Sequence, residues 1–346
     1  MNWLISSRFA TAFLVALSVS MGFAQQIADP NFDAKVAKPA YTKNGPKVLF
    51  DEAHNNFHTA SGRYKPFADL ITNDGYQVTP NTQKFSAQTL KGFDLLVISN
   101  ALGAPRMNQP EAGNPAFTDA ECDAVRDWVK GGSALLLIAD HAPMGAANQI
   151  LAQRFGVDMR SAFTSDSVNY DKESGNQGFL VYSHDNGLLM DHPITKGRDA
   201  SERINRIMTF TGQSIKGPAG STVLLKLADT AKDTPPPSQA DIQAAIEKAR
   251  QGGQTQLPPP NGMNLPPGAT TVRVQVPENA AISAAGRAQG IAFNVGKGRV
   301  VVLGEAAMLS AQMTGTGGSK FGMNRPGIDN RQLALNIVHW LSGLLK

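Results

Sequence analysis

Along this chain the apolar residues fall into short blocks closed by polar groups, and the blocks alternate with stretches of helical period. Lys47-Val48-Leu49-Phe50 predicts a short strand ending at Asp51, followed by a helical stretch from about Tyr64 to Asn73 that Gly75 stops. Tyr76 to Thr79 predicts a second strand. Asp94-Leu95-Leu96-Val97-Ile98-Ser99 is apolar almost throughout and ends in Asn100, the pattern of a strand buried on both faces of a parallel sheet.

Thr118-Asp119-Ala120-Glu121 is a capping box that opens a helix through Trp128 to Lys130, and Gly131-Gly132 ends it. Ala134-Leu135-Leu136-Leu137-Ile138-Ala139 predicts the next buried strand, closing in Asp140-His141, with a helix from Gly145 to Phe155 after it. Strand, helix, strand, helix with short connections predicts a right-handed, doubly wound α/β sheet.

The second half is less regular. Gly178 to Ser183, Ile204 to Phe210 and Thr222 to Leu227 read as strands without long helices between them, which predicts an antiparallel extension. From Asp233 to Gly268 the composition shifts to Pro, Gln and Gly around one helix-prone piece, Ala240 to Arg250, and this stretch reads as a surface excursion. The sheet resumes at Gln289 to Val295, turns at Gly296-Lys297-Gly298 and continues through Arg299 to Leu303 into Gly304-Glu305. A helix from Arg331 to Leu345, apolar at Leu333, Leu335, Ile337, Val338, Trp340 and Leu341, closes the chain.

Composition narrows the setting. A chain of 346 residues, 42% hydrophobic and 17% charged, buries a large core and is far from disordered compositions. At the start, Arg8, the apolar run Phe9 to Val19 and Gly22-Phe23-Ala24 before Gln25 have the order of a cleavable secretion signal. The expected organisation is therefore a signal peptide at 1–24 and a single domain at 25–346 carrying the excursion at 233–268, in the periplasm or secreted.

The leader's apolar run is shorter than the roughly 20 residues a membrane span needs, so no stable membrane anchor is expected. Cys122, the single cysteine, lies far from the signal junction where a lipid anchor would attach, and alone it forms no intramolecular disulfide. With a net charge of +4 and its Lys and Arg residues scattered, the chain is not expected to bind nucleic acid.

The candidate chemistry sits at the strand ends, because open α/β sheets bind ligands beyond the carboxyl ends of their parallel strands. Those ends carry Asp51, Glu52 and His54, then Asn100, then Asp140 and His141, and finally Glu305. Taken singly, such residues also cap helices and close turns. Taken together they form a candidate binding edge for a small polar molecule or carbohydrate.

A metal is the alternative. His54 and His58, four apart, share a face if their segment is helical, and Asp51, His54, His58, Asp140 and His141 are a candidate set for a divalent ion such as zinc, with Glu305 as base. His184, Asp191 and His192 lie in turn-like sequence, and His339 on the last helix reads as packed or capping. No Gly-x-Ser-x-Gly elbow occurs, Cys122 lies inside a helix, and Gly315-Thr316-Gly317-Gly318 lacks the Lys-Ser/Thr ending of a phosphate loop.

Val48-Leu49-Phe50-Asp51-Glu52-Ala53-His54, the strand Gly131 to His141, His192-Pro193-Ile194-Thr195 and Asn330-Arg331-Gln332-Leu333-Ala334-Leu335-Asn336 resemble, in order and spacing, the bacterial glutamine-amidotransferase-like exported proteins of unknown function. These are similar to amidotransferase-like domains of gliding-motility and intraflagellar-transport proteins, and more distantly to trehalose-utilisation-type proteins. The resemblance spans nearly all of the chain after the leader except the excursion. It implies a flavodoxin-like three-layer αβα sandwich, mostly parallel with an antiparallel extension, and little chemistry. Class I amidotransferases carry a Cys on the elbow and a late His-Glu pair; here the elbow-like strand end holds Asp140-His141, and no His accompanies Glu305. The expectation is an exported, non-catalytic protein that binds a small polar ligand and needs no cofactor. The alternatives are the metal-assisted hydrolase and a protein-interaction scaffold using the Pro-rich excursion.

Overall fold

Four of the predicted apolar blocks become the centre of one sheet. β1 (Lys47–Asp51), β3 (Leu95–Ser99), β4 (Ala134–Ile138) and β11 (Gly298–Leu303) lie side by side in parallel, with β2 (Gln77–Asn81) parallel to β1 at the edge. The computed structural model describes residues 15–17, 26–250, 270–272, 280–314 and 318–346. Most of the leader, the second half of the Pro-rich stretch, residues 273–279 and residues 315–317 lie outside them.

Side chains alternate across these strands into two apolar layers. Val48, Phe50, Leu95, Val97, Leu136, Ile138, Val301 and Leu303 face one core with α1 (Lys65–Asn73) and α4 (Asn330–Leu341). Leu49, Leu96, Ile98, Leu135, Leu137, Val300 and Val302 face the other with α2 (Asp119–Lys130) and α3 (Met144–Gln153). Burial on both faces is why these strands read as unbroken apolar runs. Each fully buried Val, Leu or Ile contributes about 1.5–3 kcal/mol, and this is the main force holding the layers together.

Beyond β11 the sheet changes direction. β10 (Ala288–Val295) runs antiparallel to β11, and β8 (Thr222–Lys226) and the two-residue β7 (Ile215–Lys216) pair antiparallel with β10; β5 (Asp158–Met159) pairs with β7 at the far end. The sheet order is therefore β2-β1-β3-β4-β11-β10-β7-β5, with β8 also on β10. Smaller antiparallel sheets surround it. Val181–Ser183 pairs with Arg206–Met208, and β9 (Ala231–Thr234) pairs with β6 (Phe163–Asp166).

Three differences from the sequence-based expectation have clear causes. β2 continues to Asn81 through Pro80, which an edge strand accommodates because it leaves one row of N–H groups unpaired. Asp233 and Thr234, expected at the start of the surface excursion, belong to β9, and Asp233 is fully buried, accepting from Thr164 Oγ1 at 2.6 Å and Ser214 Oγ at 2.5 Å. The last helix stops at Leu341, where Ser342 caps it.

The chain divides into two compact units, one of Ile27–Pro236 with Glu278–Lys346 and one of Met1–Gln26 with Pro237–Pro277. In the second, the described elements are the helix Gln239–Arg250 and a parallel pair formed by Val15–Leu17 and Thr270–Val272. Among the described residues no helix is long and apolar enough to cross a membrane.

Candidate functional site

β1 delivers Asp51, fully buried, to the carboxyl edge, and the loop after it is not helical. His54 turns back so that Nδ1 lies 2.9 Å from both carboxylate oxygens of Asp51, while Nε2 lies 2.9 Å from Oε1 of Glu121 on α2. The ring is thus held between two carboxyl groups, one at each nitrogen. Its faces are closed by Phe85 and Phe117, with ring centroids 4.7 and 4.6 Å away.

Glu121 has further partners. Phe85 N donates to Oε1 at 3.2 Å, and Thr118 donates to Oε2 from its backbone N at 3.0 Å and from Oγ1 at 2.8 Å. Burial by itself would raise this carboxyl; the Thr118 and His54 hydrogen bonds outweigh it and hold the carboxyl down at about 2. The predicted capping box is thus present and also anchors His54. We expect Thr118→Ala to cost about 1–2 kcal/mol in urea unfolding, at the upper end for an N-cap, because it removes the cap and a Glu121 partner together.

His58 goes to the opposite face. Its ring stacks on Tyr64 at 4.7 Å, and Nδ1 lies 3.2 Å from Ser99 Oγ and 3.3 Å from Asn100 Nδ2. Burial, then the Arg63 charge, lowers it to about 3, so at neutral pH it is an uncharged member of the packing. The helical pairing of His54 with His58 is therefore overturned. The metal set of Asp51, His54, His58, Asp140 and His141 does not assemble either: among the described residues no group of three or more His, Cys, Asp or Glu is placed to hold a metal ion.

The other strand ends do converge. Asn100 adopts a left-handed conformation, φ 50°, which Asn tolerates, and its Oδ1 accepts from Asp140 N at 2.9 Å, tying the end of β3 to that of β4. His141 N donates to Asp140 Oδ1 at 3.0 Å; the His141 ring lies 4.4 Å from Phe163, and its Nδ1 is 2.7 Å from the Ala142 carbonyl oxygen. Glu305, fully buried after β11, accepts from Ala307 N and Met308 N, both at 2.7 Å.

Asp140 and Glu305 act on each other. Burial first, and then the Asp140 charge, pushes Glu305 well above the ordinary carboxyl range. Burial raises Asp140 too, although the His141 charge and several hydrogen bonds oppose it. Neither carboxyl has a Lys or Arg ion-pair partner among the described residues. Burial and their mutual repulsion therefore favour the protonated form of these carboxyls more than solvent exposure would.

Of the predicted edge residues, Asn100, Asp140, His141 and Glu305 thus form one cluster. Asp51 and His54 commit their polar atoms to a clamp with Glu121. Glu52 braces the intervening loop, its Oε1 accepting from Ala60 N at 2.8 Å. Of the other histidines, His192 caps the turn Pro193–Lys196 through Ile194 N, His184 lies 4.0 Å from Asp191, and His339 is buried 2.6 Å from Asp74. Cys122 is buried in α2, where burial raises its thiol to about 11.

Sequence reasoning missed Glu121 as a partner of His54, Tyr64 and Gln213. Tyr64 donates from its hydroxyl to the Ala306 carbonyl at 2.5 Å, bracing the turn after Glu305. Gln213 Nε2 donates to the carbonyls of Ala139 and Asp140, both at 2.9 Å, and its backbone N donates to Gly304 O at 2.7 Å, so one residue fixes both strand ends. Nothing in the irregular stretch around Gln213 marks it. Next to it, Thr211 holds φ 77°, a strained value for a β-branched residue, and a Cβ on Gly212 would collide with Gly304 O, so the approach requires glycine.

Comparison with known proteins places the fold alone. No family model and no curated protein matches the chain. Among solved structures, the mmIFT52 N-terminal domain superposes with a TM-score of 0.53 at 11% identity, covering 85% of this chain and 97% of that one. A ThuA-like protein from Parabacteroides merdae gives 0.42 at 11% identity, covering 86% and 90%. A ThuA-like protein from Bacteroides uniformis gives 0.37 at 12% identity, covering 88% and 93%. The mixed α/β architecture with its mostly parallel sheet is the one the sequence resemblance implies.

Proposed function

We propose that this chain is an exported binding protein of the amidotransferase-like, flavodoxin-like three-layer type, and that it holds a small, hydroxyl-rich polar ligand of carbohydrate kind at the Asn100, Asp140, His141 and Glu305 edge. The observation that carries this reading is the Asp140–Glu305 pair. Two carboxyls with no Lys or Arg ion-pair partner among the described residues stand at the ends of neighbouring parallel strands, and burial together with their mutual repulsion works against the charged form of Glu305. Strain at Thr211 beside them is of the kind that persists where a site needs it.

Asp140 and His141 are the slightly exposed members, at 9% and 6%, whereas Glu305 is sealed at 0%. In this reading Asp140 and His141 meet the ligand, and sugar hydroxyls supply donors to Asp140. Glu305 lies sealed behind them. The strand order β2-β1-β3-β4-β11 supports the flavodoxin-like assignment, since it reverses between β1 and β3, where such folds bind ligands. The leader-like start supports export. Glutaminase chemistry is no part of the proposal, because Cys122 is buried within a helix and Asp140-His141 occupies the strand end.

The test is a thermal-shift screen of neutral mono- and disaccharides against the wild type and the double variant Asp140→Ala, His141→Ala. We expect at least one sugar to raise the melting temperature of the wild type and to leave a cooperatively unfolding double variant unmoved. An equal shift in the variant, or no sugar effect on the wild type, overturns the site.

A further inference from the structure

A cavity of about 390 Å3, lined by none of the strand-end cluster residues, is bordered by the loop 168–173, the antiparallel pair Val181–Ser183 and Arg206–Met208, and the segment 325–328. Its size is within the range of small-molecule sites. Its walls are fixed by specific contacts. Arg325 pairs with buried Asp171 at 2.8 Å and approaches Glu173 at 3.7 Å, joining two of the bordering segments. Asp329 Oδ2 accepts from the backbone N of Asn205 at 2.7 Å and of Arg206 at 3.1 Å, which sets the course of the chain where Arg206 enters its strand.

The charges in this cavity are unevenly used. Lys172, Arg206 and Arg325 face Asp171 and Glu173, leaving one positive charge in excess. Arg325 is answered by the two acids, and the Lys172 ammonium lies 3.5 Å from the centre of the Tyr170 ring. The Arg206 guanidinium alone has no hydrogen-bond or ion-pair partner among the described residues, although its backbone is held on both sides. A planar donor fork on a fixed backbone, over a floor of Met208 and Val181, is arranged to take a carboxylate end-on while the rest of the ligand lies against the apolar floor.

We propose that this cavity is a second ligand site, for a sugar-sized organic acid carrying one carboxylate, with Arg206 as its anchor and Lys172 as a supporting donor. The proposal is independent of the neutral-ligand reading of the strand-end cluster, because it uses none of the same residues.

Isothermal titration of the full chain with glucuronate, galacturonate and gluconate, each at up to about 10 mM, and with glucose as the neutral control, tests it. At least one acid is expected to bind, glucose is not expected to bind at this cavity, and Arg206→Ala is expected to weaken the acid by about tenfold or more. Asp140→Asn should leave acid binding unchanged, which separates the two sites. Arg206 is exposed, so the variant is expected to fold, and an unchanged melting temperature checks that. Absence of binding by all three acids, binding unaltered in Arg206→Ala, or acid binding lost in Asp140→Asn overturns the proposal.

Discussion

His54→Ala is expected to lower the unfolding free energy by about 3–5 kcal/mol, the range for removing one partner from a buried charged group. Asp51 and Glu121 both lie 2.9 Å from this ring, and without it two buried carboxyl groups lose a hydrogen-bond partner and face a void. The packing of Phe85 and Phe117 against the ring is lost as well. Chemical denaturation with urea measures the change, and a loss under about 1 kcal/mol would show that the clamp is replaceable by water. The sign with pH follows from Glu121. Its folded carboxyl sits at about 2, below the ordinary 4.5, so its contribution is fully present above the ordinary value and disappears as the pH falls from about 4.5 toward about 2. His54→Ala removes one cause of that depression, so the variant should lose less stability than the wild type across this acid window.

The same clamp explains what the sequence discloses and what it hides. β3 and β4 were legible because burial on both faces leaves a short, unbroken apolar run closed by polar residues, and the Thr118–Glu121 box was legible because a cap is local. The convergence of Asn100, Asp140 and Glu305 followed from the rule that parallel strands end on one edge. What stayed hidden is set by side-chain direction and by contacts remote in sequence. His54 and His58, four apart, leave a non-helical loop toward opposite faces, one to Glu121 sixty-seven residues on and the other onto Tyr64. Gln213 and Asp233 lie in stretches whose composition reads as irregular or as surface, and only the pairing of β9 with β6 and the closeness of Gly212 to Gly304 reveal that the chain there is interior.

Asp140→Asn is expected to stabilise the protein near neutral pH while abolishing ligand binding at the strand-end cluster. The asparagine keeps an oxygen for His141 N and removes the charge that helps push Glu305 upward. Both carboxyls have folded values raised above their ordinary 3.8 and 4.5, so over the range above those values the folded chain holds protons that the unfolded chain has released. The unfolding free energy of the wild type is therefore eroded by this pair as the pH rises from about 4 toward neutrality, the opposite sign to Glu121. The variant's advantage should grow over that interval and reach about 0.5–2 kcal/mol, the usual gain when a strained functional group is relieved. Denaturant unfolding at about pH 4 and about pH 7, set beside the sugar-induced thermal shift, reads both quantities on one protein. A variant that is more stable at neutral pH and blind to sugar assigns the carboxyl pair to binding. A variant that is less stable at both pH values makes Asp140 a structural tie between β3 and β4, and the binding edge proposed here falls with it.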